Sequence, residues 1–139
     1  MRAKKLLVTV YREDGWGAQS HWVLDPTWND VEAAIHELDR FRRPFIWIYL
    51  SRDAHQNDLA DFEVIGGDGT YAMSGLSSGR QVRYFDAEGG EELVPIWTSD
   101  QGAEFAGKYI CSHVAVVLEA ARYFCEFGEL DPKLTWIGS

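Results

Sequence analysis

The sequence predicts an α+β fold, a mostly antiparallel sheet of five to six strands with two amphipathic helices packed on it. Three observations point there. Two segments, Thr27 to Arg42 and Ser112 to Gly128, set apolar residues at the spacing that lines one side of a 3.6-residue helix. Around them lie short runs rich in β-branched and aromatic residues, bounded by glycine, aspartate and proline. No repeat, low-complexity stretch or linker-like composition divides the 139 residues, so a single domain over 1–139 is expected.

The elements follow in chain order. Leu6 to Arg12 suits a first strand turned by Asp14-Gly15, and His21 to Leu24 a second, closed by Asp25-Pro26 because the residue before proline avoids the helical region. Trp16 and Trp22 are expected as core or edge-covering aromatics. In the helix Thr27 to Arg42, Thr27 is the cap, Asp30 completes a capping box, and Arg40, Arg42 and Arg43 complement the C-terminal dipole before Pro44. Val31, Ala34, Ile35, Leu38 and Phe41 form its buried stripe, with His36 on the solvent side. The continuous apolar run Phe45 to Leu50 fits a central strand covered on both faces. Phe62 to Ile65 and Thr70 to Met73 flank Gly66-Gly67-Asp68-Gly69 as a hairpin, since glycine supplies the positive φ of a tight turn.

Gln81 to Phe85 and Leu93 to Trp97 read as two further strands linked by residues 86–92. Pro95 removes a ladder donor, which places the second of them at an edge or a bulge. In the last helix, Val114, Val117, Leu118, Ala121, Phe124 and Cys125 make the apolar face, opposite Glu119, Arg122 and Glu126. Ser112 is read as its N-cap and Gly128 as its left-handed C-terminal residue. Trp136 is expected to add a short final strand.

A chain of this length buries roughly two-thirds of the surface its unfolded form exposes, so a core needs no staples. Cys111 and Cys125 would be separated by about 20 Å of helix rise, which rules out a disulfide between them and suits two buried thiols in a reducing compartment. Leu6 to Val10 is too short for a signal peptide core or a membrane span, so a cytoplasmic location is expected.

The net charge of −9 is uneven. Residues 1–52 hold eight Lys/Arg and seven Asp/Glu, whereas residues 53–139 hold five and fifteen. Such a chain repels nucleic acid and anionic membrane, and attracts basic protein surfaces over a Debye length of roughly 8 Å. Catalytic patterns are missing: there is no H-x-E with P-C-x-x-C, no phosphate loop, no G-x-S-x-G and no H-E-x-x-H. His21, His36, His55 and His113 have no recurring spacing. Asp53, His55 and Asp58 fall far below a zinc pattern, and Ser112-His113 is better read as a helix start than as a nucleophile and its base. Neither an enzyme, a metal nor a cofactor is expected.

Several pieces taken together carry a resemblance: the helix from Thr27 followed by an apolar strand, the Ile65-Gly66-Gly67 turn, and the tail Ala120-Ala121-Arg122-Tyr123-Phe124, Gly128, Pro132, Leu134-Thr135-Trp136. In order and spacing, over residues 28–137, they resemble immunity protein family one of bacterial polymorphic toxin systems. The resemblance implies a small cytoplasmic antidote that binds a cognate toxin domain, a nuclease or a deaminase, and blocks it. Because such toxins present a basic cleft, the partner-binding candidates are the carboxylates Asp86, Glu88, Glu91 and Glu92, with Asp100 and Glu104. A second candidate surface comprises Asp53, Asp58, Asp61, Asp68 and Tyr71. The alternative from another class is a small-ligand-binding or regulatory module in which Trp16, Trp22, Trp47 and Trp97 line a pocket.

Overall fold

The structure, a computed structural model, describes residues 1–139. The fold is α+β: a seven-stranded antiparallel sheet, a separate two-stranded hairpin and two helices. In chain order the elements are β1 (Lys5–Tyr11), β2 (Ala18–Leu24), α1 (Trp28–His36), β3 (Phe45–Tyr49), β4 (Phe62–Gly67), β5 (Thr70–Ser77), β6 (Arg80–Tyr84), β7 (Leu93–Trp97), β8 (Ala103–Ala106), α2 (Val114–Phe127) and β9 (Trp136–Gly138). The main sheet runs β2-β1-β3-β4-β5-β6-β9, and β7 pairs only with β8. The sheet therefore exceeds the expected five to six strands.

The strand from Pro44, the glycine hairpin and the final strand at Trp136 form where the sequence placed them. Pro95 lies in the small hairpin beside a register shift between Pro95 and Trp97, as its missing donor requires. Residues 86–92 carry the chain from the main sheet to this hairpin. Trp16 is exposed at 62% and covers nothing in the core.

Both helices lie on one face of the sheet. Alternation along the strands sends Leu6, Ile46, Ile48, Phe62, Val64 and Met73 into a core shared with Val31 and Ile35 of α1 and Val117, Ala121 and Phe124 of α2. Phe124 stacks on Phe62 with ring centroids 5.0 Å apart. The opposite face is covered at one end by the β7–β8 hairpin, whose Ile96 packs with Tyr11, Phe45, Ile65 and Ala72. At the other end the 51–60 segment packs Ala54 on Leu7 and Tyr49.

Helix α1 begins as read, with Thr27 accepting from the Asp30 amide and Asp30 accepting from the Thr27 amide. It ends at His36, short of Arg42. The cause is Asp39, whose carboxylate takes the amides of Phe41 and Arg43 at 3.0 and 2.8 Å and so draws them from the helix ladder. Arg40 then turns left-handed at φ 68, and its amide bonds Gly66. Arg40, Arg42 and Arg43 thus lie in a loop rather than a last helical turn. Ser112 does not cap α2 either: His113 holds the N-cap position, and no side chain bonds the first-turn amides. Gly128 closes the helix at φ 71, its amide bonded to the Phe124 carbonyl at 2.7 Å.

Candidate functional site

The strand registers align one residue from each strand of the main sheet into a single transverse row: Trp22, Leu7, Trp47, Glu63, Ser74, Arg83 and Ile137. Paired residues share a face, so the row crosses the side that carries no helix. Its middle lies between the β7–β8 hairpin and the 51–60 segment, and there the row turns polar.

Glu63 is the charged member of β4, between Phe62 and Val64, which are fully buried on the helix side. Its carboxylate accepts from the Trp47 indole N–H, and the Ser74 hydroxyl stands 3.4 Å from it as a second donor. Burial pushes the Glu63 carboxyl above its ordinary pKa, against the two hydrogen bonds, which favour the ionised form. No cation lies within 4.0 Å of it.

Two strands away on the row, Arg83 sets its guanidinium 3.4 Å from the centre of the Tyr109 ring. Its Nε is buried without a hydrogen-bond partner, and the side chain makes no ion pair. Glu63 and Arg83 both line a cavity of about 140 Å³ walled by Ile65, Ala72, Phe105 and Tyr109. A second cavity of about 210 Å³, under residues 56–60, shares Glu63, Ser74 and Gln81 with the first. The two form one groove over the row.

The acidic candidates are distributed elsewhere. Glu88, Glu91 and Glu92 are exposed on a segment held by backbone bonds from Gly107 to Glu92 and from Lys108 to Gly90, both at 2.9 Å. Glu91 is neutralised by Lys108 at 2.6 Å. Asp86 is half-buried, and its side chain accepts the Glu88 amide. Glu104 projects from β8, whereas Asp100 occupies the turn at the far end of that hairpin and accepts from the Tyr11 hydroxyl at 3.2 Å. Asp100 is thus separated from Glu92 by the length of β7, about 17 Å.

The second set does not form one surface. Asp53 and Asp58 are exposed before β4, and Asp58 and Asp61 bond the amides of His55 and Leu50. Asp68 sits beyond the other end of β4. Tyr71 is buried, its backbone paired to Cys111, and it offers no ring to a partner. No group of three or more His, Cys, Asp or Glu side chains is placed to hold a metal ion.

Of the four tryptophans, Trp22, Trp47 and Trp97 pack along the helix-free face and Trp16 stands apart from them. Trp22 meets Tyr49, Trp47 stacks on Phe45, Trp97 meets Tyr11 and Phe45, and Trp16 stands exposed in the β1–β2 connection. The sequence reading missed Glu63, Ser74 and Arg83. The available signal was a carboxylate inside the apolar run Phe62-Glu63-Val64-Ile65.

Comparison with models of protein families, with curated proteins and with solved structures finds no match to this chain. No helix is long and apolar enough to cross a membrane.

Proposed function

We propose that this protein is an immunity protein, which binds a basic toxin domain of the nuclease or deaminase class and neutralises it by contact rather than by catalysis. One observation carries this reading. Of the four ion pairs in the fold, three join residues within the first 52 positions: Arg12 with Asp14, Arg43 with Glu37, and Arg52 with Asp25. In residues 53–139 only Glu91 is paired, which leaves fourteen of the fifteen carboxylates there without a cation. Glu63 is enclosed and Asp131 is buried, but most of the others, among them Asp53, Asp58, Glu88 and Glu92, are exposed. A basic cleft would meet them with complementary potential, gaining on-rate and specificity.

The reading requires a toxin domain encoded beside this protein, and the test uses that domain. Cells producing that domain alone should die, cells producing both should grow, and the two proteins should co-purify. Failure of the protein to protect, with both partners produced and folded, overturns the reading.

A further inference from the structure

We propose that the groove between Glu63 and Arg83 is a binding site for a small zwitterion of the amino-acid type, its ammonium held by Glu63 and its carboxylate by Arg83.

The argument begins with the cost of isolated charge. An enclosed ion without a counter-ion is expensive, and opposite charges near each other normally close into a pair. Here they do not. Glu63 and Arg83 line the same cavity, yet no oxygen of one lies within 4.0 Å of a nitrogen of the other. The register explains the gap. Glu63 is opposite Ser74 and Ser74 is opposite Arg83, so the two charged residues stand two strand spacings apart, about 10 Å between Cα atoms. Tyr109 holds the guanidinium over its ring.

Each charged group has unused capacity. An ionised carboxylate offers about four acceptor positions, and the Trp47 and Ser74 donors occupy two. Arg83 makes no side-chain hydrogen bond, although a guanidinium presents five donors in a fork that suits a carboxylate. The wall between them is mixed: Ile65, Ala72, Phe105 and Tyr109 are apolar or aromatic, and Ser74, Gln81 and Ser139 are polar. A carboxylate at one end, a guanidinium at the other and a partly apolar wall beside them are complementary to an ammonium, a carboxylate and an aliphatic or aromatic side chain. None of residues 88–92 lines the cavity, so zwitterion binding is tested separately from toxin binding.

The zwitterionic L-amino acids, with leucine and phenylalanine first, are titrated into the full chain by calorimetry, while the Trp47 indole N–H resonance is followed by NMR. At least one should bind and move that resonance. Its methyl ester, which lacks the carboxylate, and its N-acetyl form, which lacks the ammonium, should each bind about tenfold or more weakly, the worth of one charged hydrogen-bonded contact. Glu63→Gln should abolish the preference for the free amine, and Arg83→Gln the preference for the free carboxylate. Absence of binding by every member of the panel up to about 10 mM overturns the proposal. Equal binding of the free and capped forms overturns it too. The capped probes are read on the unaltered protein, so the outcome does not depend on either variant folding.

Discussion

Glu63 shows how one position can work against the stability of the fold that contains it. Its folded pKa is raised above the unfolded value by burial, so the folded chain holds the proton more tightly. The resulting stabilisation is complete below the unfolded carboxyl pKa and is lost as pH rises through the folded one. Glu63→Gln keeps an oxygen for the Trp47 indole and removes the buried charge. It should raise the denaturant midpoint at about pH 7, with the gain shrinking toward about pH 4. A variant less stable than the parent at neutral pH would show that the carboxylate has a stabilising partner instead. Cys125 and Cys111 are buried, and burial raises both thiols, that of Cys125 to about 12. Neither should react with a disulfide reagent at neutral pH in the native state, and both should react after unfolding.

At the level of single elements, caps and turns give the sharpest expectations. Thr27→Ala removes the side-chain acceptor of the α1 capping box and should cost about 1 kcal/mol in an unfolding titration. Gly66→Ala should cost at least about 2 kcal/mol, because Gly66 has φ 134 and an added Cβ would overlap the Thr70 carbonyl oxygen. A stability change within error would mean that the β4–β5 turn can relax. These features were legible because cap and turn chemistry act over a few residues. The early stop of α1 was not. The apolar period continues through Leu38 and Phe41, but Asp39 captures two amides and the strand end at Gly67 bridges to it. The Gly67 partner lies 28 positions away, beyond any local pattern. Ser112 misled for a related reason: pairing of Cys111 with Tyr71 sets where the chain enters α2 and moves the cap to His113.

For the molecule as a whole, the decisive property is where charge remains unpaired. If Glu88 and Glu92 form part of the surface that meets a toxin, reversing both to lysine should slow association about tenfold or more and flatten its dependence on ionic strength. Glu91→Gln, which removes a charge already paired with Lys108, should change the rate less. Stopped-flow association at several salt concentrations separates these cases, and an unaltered rate in the double reversal would remove that segment from the interface. The acidic imbalance was visible in composition. Its arrangement was not, since Asp100 and Glu92 are eight positions apart in the chain yet lie at opposite ends of the β7–β8 hairpin.

Periodicity, capping and turn residues therefore specified the α+β class, the starts of both helical segments to within two residues, the glycine hairpin and the last strand. All of these depend on interactions within a few positions of the chain. The shared helical face, the detached β7–β8 hairpin and the row that places Glu63, Ser74 and Arg83 together arise from strand pairing and packing across the fold. A two-residue alternation looks the same under any even shift of register, so which side chains stand opposite one another is settled only when the sheet assembles.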